Sequence, residues 1–261
     1  MAVWALLLLA LCAGFYSIYR LWTIRQMYEE GDQMYRQLKE QVTAVDKQPV
    51  PADANKQDES SAQAAQAAVP PLSVDFEVLR QISGDAAAWL YGPDTPIHYP
   101  VMRADDYNWY LRHLPDGTYN ANGSLFLDYN GEQDFSGRLS IIYGHNMNSG
   151  AMFNALTRYK EQAYFEEHPY LYLYTEQGNY RIDLLYGCVI GAGEWRERAF
   201  MYEMNLESLM TYAAEHTTFA SGVSYTESSR ILALSTCSYE FDDARYVVLG
   251  VLVPAYEDTA K

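Results

Sequence analysis

Residues 231–253 read Ile231-Leu-Ala-Leu-Ser-Thr-Cys237-Ser-Tyr-Glu-Phe-Asp-Asp-Ala-Arg245-Tyr-Val-Val-Leu-Gly-Val-Leu-Val253, and this stretch decides the fold. Two apolar runs are joined by a short polar connection, the pattern of two buried strands bounded by turn-forming residues. Cys237 stands at the exit of the first run and Arg245 at the entrance of the second. Such a pair brings a thiol and a guanidinium to one end of a sheet, as a nucleophile beside a stabiliser of negative charge.

Upstream, Ser124-Leu-Phe-Leu-Asp128, Leu139-Ser-Ile-Ile-Tyr143, Tyr170-Leu-Tyr-Leu-Tyr174 and residues 180–190 read as further strands. Trp89-Leu-Tyr-Gly-Pro and Ile97-His-Tyr-Pro-Val-Met alternate strand residues with turn formers. Helices are fewer, over 74–82, 151–159 and 206–216. The 24 tyrosines favour β structure, where aromatic rings pack well on a pleated surface. About eight short strands with few helices predict a mainly β fold, a closed or nearly closed antiparallel-rich barrel.

A net charge of −16 argues against a nucleic-acid partner, which needs clustered Lys and Arg. Of the three cysteines, Cys12 lies in an N-terminal apolar run, so the folded part can form one disulfide at most. A disulfide-stabilised secreted domain carries a larger, even set, so the thiols are expected to be free. Cys188 reads as a buried strand residue without a role. No metal site is expected, because no Cys-x-x-Cys, His-x-x-x-His or calcium-loop spacing occurs. No cofactor motif appears, and Asn148-Ser149-Gly150 is not the nucleophile elbow of a serine hydrolase.

Residues 2–19 are uncharged and rich in Leu and Ala. As a helix they span roughly 27 Å, near the thickness of a bilayer core. Trp4, Tyr16, Tyr19 and Trp22 flank the run as interfacial aromatics do. No small-x-small cleavage site follows, and Leu11 before Cys12 speaks against lipid attachment, so an uncleaved anchor over 1–22 is expected. Arg20 and Arg25 follow the span with no basic residue before it, and charge alone would place the remainder in the cytoplasm. Residues 23–71 then divide in two. A helical apolar stripe (Ile24, Met27, Tyr28, Met34, Tyr35, Leu38, Val42, Val45) predicts a juxtamembrane helix. The stretch 47–71, without Leu, Ile, Phe or any other aromatic, predicts a flexible tether. The folded domain is expected over 72–257.

Among five histidines, His145 stands out, in Tyr143-Gly-His145-Asn-Met-Asn-Ser-Gly-Ala-Met-Phe, directly after an apolar strand. Singly, each candidate has a bland reading: His145 as a structural histidine, Cys237 as a small core residue, Arg245 as an edge-strand charge. Together, each at a strand end, they read as an active site.

These segments resemble the sortases, class B in particular. The resemblance is carried by Leu234-Ser-Thr-Cys237, by Arg245-Tyr-Val-Val-Leu-Gly, and by Ile142-Tyr-Gly-His145-Asn-Met with Gly150-Ala-Met-Phe. Trp89-Leu, Ile97-His-Tyr-Pro-Val and Gly123-Ser-Leu-Phe-Leu-Asp128 are similar to the start of the class B domain, and the likeness spans roughly 72–254. It implies an eight-stranded barrel with N-terminal helices and a helix before the cysteine strand, outside the membrane of a Gram-positive cell. It implies a cysteine transpeptidase without cofactors, acting on surface proteins with a C-terminal sorting motif. The acceptor would be an amine of peptidoglycan or its lipid-linked precursor, or a pilin lysine in the alternative reading. Cys237 takes the position of the nucleophile, His145 that of the general acid and base, and Arg245 that of the transition-state stabiliser. A backbone N–H near Thr236 would join Arg245 at the oxyanion. Leu111 and Ser235 match positions near the substrate, and Thr236 stands with them. Tyr107 replaces a groove Asn, Ser238 an acidic neighbour, and residues 191–200 are expected as a substrate-facing loop.

Overall fold

The polar connection after Cys237 folds as a turn, so β9 (Ile231–Cys237) and β10 (Ala244–Ala255) run antiparallel with Cys237 directly opposite Arg245. Directly opposed residues project from the same face of a sheet. The computed structural model describes residues 2–45, 70–200 and 202–255. The other edge of β10 pairs antiparallel with β8 (Gly178–Gly191). The remaining barrel strands are β3 (Ala86–Tyr91), β4 (His98–Met102), β5 (Leu125–Leu127), β6 (Leu139–Tyr143) and β7 (Tyr170–Thr175). They close in the order β10-β8-β7-β3-β4-β5-β6-β9, the mainly β barrel that the sequence pattern predicts.

Two neighbouring pairs are parallel, β4 with β5 and β6 with β9. The second positions the site. Tyr143 is level with Ser235, so the chain leaves both strands at the same end of the barrel. Two residues further on, the parallel register delivers His145 and Cys237 to one rim.

The strands read as continuous apolar runs because the sheet is covered on both faces. Inside the barrel, Leu90, Val101, Leu125, Ile142, Leu173 and Leu234 share one core. On the outside of β6, β9 and β10, Ile141, Ala233, Val247 and Leu249 are covered by Leu209, Met210 and Ala213 of α5 (Tyr202–Glu215). Trp89, Met102, Phe126 and Tyr174 face a third cluster with Leu38, Val42 and Leu79.

That third cluster docks the N-terminal helices. α1 (Ala2–Val42) is one continuous helix, about 60 Å long at its ordinary rise. From Val3 to Trp22 its described large apolar side chains are exposed, and it is long and apolar enough to cross a membrane. Further along, Tyr35, Leu38 and Val42 are buried, at the three- and four-residue spacing of one helix face. Each such burial is worth about 1.5–3 kcal/mol, enough together to hold the helix on the barrel. β1 (Thr43–Val45) then pairs antiparallel with β2 (Leu72–Val74). The side chain of Asp75 caps α2 (Phe76–Ile82) by accepting from the N–H groups of Glu77 and Val78, both at 3.0 Å. The expected tether falls on residues that, over 46–69, lie outside those described.

Three local expectations differ from what is observed. The segment near 151–159 is a 3-10 helix (Phe153–Lys160), followed by an unanticipated α3 (Gln162–Glu167). The expected loop over 191–200 is instead α4 (Ala192–Phe200). Ala, Arg and Glu favour a helix there, and Glu194 in the first turn suits the helix dipole.

Candidate active site

At the rim where β6 and β9 end, a cavity of about 360 Å3 opens. His145, Cys237, Arg245, Leu111, Ser235 and Thr236, the six residues singled out in the sequence, all line it.

His145 follows Gly144, where a Cβ would lie 2.4 Å from Leu125 Cδ2 and 2.8 Å from Phe153 Cδ2. Only glycine lets the chain turn this close to the core. The His145 ring places Nε2 2.8 Å from the Leu111 carbonyl oxygen. A carbonyl can only accept, so Nε2 carries a proton and Nδ1 is the nitrogen left for chemistry. Leu111 thus contributes to the site through its backbone as well as its side chain.

The Leu111 carbonyl packs closely against Gly123. Gly123 adopts φ +60°, and a Cβ there would lie 2.8 Å from Leu111 O and 2.6 Å from Tyr110 O. The Tyr35 hydroxyl of α1 donates to Gly123 O at 2.5 Å and lies 3.0 Å from Ser124 Oγ. A chain of contacts therefore runs from α1 through Gly123 and Leu111 to the imidazole.

The histidine and cysteine segments are laced together. Gly144 N–H donates to Ser235 O at 3.2 Å, and the Thr236 hydroxyl donates to Gly144 O at 2.8 Å. The amide of Asn146 donates to Cys237 O at 2.9 Å and accepts from Asn154 Nδ2 at 2.8 Å. The Thr236 hydroxyl is thereby committed to the scaffold. Arg245 is half-buried, and its Nη1 donates to Ala244 O at 3.0 Å. Among the described residues it forms no ion pair, so its charge faces the cavity uncompensated.

Two buried groups in the lining have no hydrogen-bond partner among the described residues, Ser235 Oγ and the indole Nε1 of Trp195. Leaving a buried polar group unpaired costs about 1–3 kcal/mol, which a bound peptide could offset. Trp195 belongs to α4, and the sequence offered no alignment that would single it out.

Behind the opposite wall lies Asp128, buried to 2% exposure. The Tyr143 hydroxyl donates to its Oδ2 at 2.8 Å, and the Tyr107 hydroxyl reaches both oxygens at 3.1 Å. Asn130 N–H completes the shell at 2.9 Å. Burial, followed by the Asp128 charge, pushes the Tyr107 phenol above its ordinary range. Both tyrosines line the cavity, so Asp128 fixes their rings from behind. Beyond Cys237, Ser238 bonds to Glu240, and both accept from Lys160.

Cys188 is 1% exposed, and burial pushes its thiol up to about 12, away from reactivity. Among the described residues no three His, Cys, Asp or Glu side chains gather as a metal site would require.

No family model matches the chain. A curated relative, Sortase B of Listeria monocytogenes, is 30% identical over 179 residues, covering 67% of this chain and 72% of that protein. The solved sortase B of B. anthracis superposes with a TM-score of 0.69 at 24% identity, covering 88% of this chain and 100% of that one. A Streptococcus pyogenes class B sortase involved in pilus biogenesis gives a TM-score of 0.62 at 26% identity, covering 69% and 98% respectively.

Proposed function

The chain belongs to the sortase B family of cysteine transpeptidases, and from that membership we propose the chemistry of its site. The substrate is a surface protein with a C-terminal sorting motif. Cys237, as thiolate, attacks the carbonyl of the motif's Thr. The oxygen bears the developing negative charge, and Arg245 with a backbone N–H near Thr236 stabilises it. The Thr carbonyl then reforms as a thioester on Cys237 while the peptide bond breaks, and the departing amine takes a proton from His145. An amine of peptidoglycan or its lipid-linked precursor attacks the thioester, gives its proton to His145, and releases the thiolate. Sulfur and protons balance over the cycle. Leu111, Ser235 and Thr236 contact the motif.

What carries this reading is that Cys237 and Arg245 are direct cross-strand partners in a cavity that His145 also lines. α1 serves as a single-pass anchor over residues 1–22, with 23–71 joining it to a catalytic domain over 72–257 held outside the membrane. A pilin lysine as acceptor is the second reading, favoured only by the S. pyogenes structure.

The test is a sorting-peptide library presented to the full chain with a panel of amines. Cleavage after Thr with transfer to a peptidoglycan-type amine is the expected product, absent in Cys237→Ala. Transfer to a lysine side chain alone would favour the second reading, and hydrolysis unaffected by any amine would refute transpeptidation.

A further inference from the structure

Residues 107–124 form one wall of the cavity through Tyr107, Asn108 and Leu111. The same segment carries two exposed aromatics, Trp109 at 49% and Tyr119 at 58% exposure. Isolated exposed aromatics are ordinary on a protein surface. These two are distinguished by where α1 holds them.

The contacts with α1 descend in order along the segment. Gly123 and Ser124 meet Tyr35. Asn122 donates to Asp32 Oδ1 at 3.0 Å and to Tyr28 O at 3.4 Å. Asn120 donates to Met27 O at 2.6 Å. Each step toward Tyr119 is a step down the helix toward its apolar end. Gly31 makes the approach possible, since a Cβ there would lie 2.5 Å from Asn122 Nδ2 and 2.8 Å from Asn120 Oδ1. A glycine inside a helix costs about 0.5–1 kcal/mol, so close contact is what it serves.

Met27 lies five residues beyond Trp22, roughly 7.5 Å along the axis, with no break in the helix between them. That is about the depth of one headgroup layer. Tyr119 and Trp109 therefore sit at the foot of the barrel. The Trp109 ring stacks on His113 with centroids 3.7 Å apart, and Tyr119 packs edge-on against His113 at 5.7 Å. The cluster is a rigid, aromatic-faced platform beside the exposed Arg112. Trp and Tyr are the side chains enriched at membrane interfaces.

We propose that this platform rests in the phospholipid headgroup layer of the membrane that α1 enters, so that the cavity mouth is held at the membrane surface. The inference rests on reading α1 as a membrane anchor. It gives the docked helix a purpose: sorting signals emerging from a membrane, and lipid-linked amines, would meet Cys237 at a fixed height. The exposed charges of this region are mixed, Arg25 pairing with Glu29 at 2.9 Å and Arg20 and Arg112 standing with Glu30 and Asp116, which suits a zwitterionic surface.

The experiment uses the full chain in phosphatidylcholine vesicles containing a headgroup-nitroxide lipid, comparing tryptophan quenching in wild type, W22F and W109F. Trp4, Trp89 and Trp195 are the same in all three proteins and give a common background. The expected result is that W22F and W109F each remove a strongly quenched component. Quenching of Trp22 without Trp109 overturns the docking and leaves the anchor intact. Quenching of neither overturns the anchor and the docking together. As a second readout, the W109S/Y119S double variant should lower transfer from a bilayer-tethered sorting peptide about tenfold and leave the rate with a soluble peptide unchanged. Equal rates on both peptides contradict the proposal.

Discussion

The hairpin of β9 and β10 and the segment 107–124 face each other across the same cavity and are built on opposite principles. In the hairpin, backbone ladders set the geometry: register places Cys237 opposite Arg245, with buried residues on both faces. In 107–124 no strand or helix does this work. The Leu111 carbonyl bonded to His145 packs against a left-handed glycine, whose own carbonyl accepts from a tyrosine of α1 in a segment that asparagines tie to the same helix. The difference teaches that the proposed nucleophile is held by pattern and the proposed acid by particulars. A strand tolerates many side chains at a given register, whereas a carbonyl wedged under Gly123 tolerates almost none.

The comparison can be broken from either side. Cys237→Ala should leave the barrel folded and abolish transfer, a loss of at least about a thousandfold measured with any accepted peptide. Arg245→Ala should cost about 100- to 1000-fold in kcat, the usual loss of an oxyanion donor, with the melting temperature nearly unchanged. Gly123→Ala probes the other side. It forces a Cβ into Tyr110 and Leu111 carbonyls at positive φ, costing about 1–3 kcal/mol of stability. Because the His145 partner moves, kcat should also fall about 100-fold, and a fall in stability alone would show that the Leu111 carbonyl does not orient the imidazole.

Smaller effects sharpen the contrast. Trp195→Phe keeps an aromatic ring but removes the unpaired N–H and part of the buried indole, so stability should fall by about 1 kcal/mol while KM for the peptide rises about fivefold, also near 1 kcal/mol. An unchanged KM would remove Trp195 from peptide recognition. His98 serves as the internal control for His145. Its ring packs edge-on against Trp89, and burial, followed by Lys39, lowers its pKa from 6.5 to about 4. The unfolded chain therefore takes up the proton first. The His98 contribution to stability is complete above pH 6.5 and is lost progressively as pH falls toward 4. Melting temperatures of His98→Phe should show a shallower acid slope than wild type across that window.

The two regions also differ in how far the sequence discloses them. The eight strands were legible because each is an apolar run between turn formers, and the parallel β6–β9 pair then carries His145 to the cysteine. Leu111 is legible in the sequence only through its side chain, yet its structural contribution includes a backbone oxygen, which no residue type advertises. Trp195 was hidden because α4 reads as a polar loop until its partner surface is known. Asp128 closes an apolar strand and looks like a turn residue, and only the fold reveals two tyrosine hydroxyls converging on it. The stripe Tyr35, Leu38, Val42 was visible as a helix face, whereas the barrel surface that receives it was not.

The most direct test of the account is to mix the full chain with an accepted sorting peptide in the absence of amine and map the acylated residue by mass spectrometry. The account predicts a thioester on Cys237 alone, discharged within one turnover when amine is added. Acylation of Cys188, or full peptide cleavage with Cys237 replaced by Ala, would contradict it.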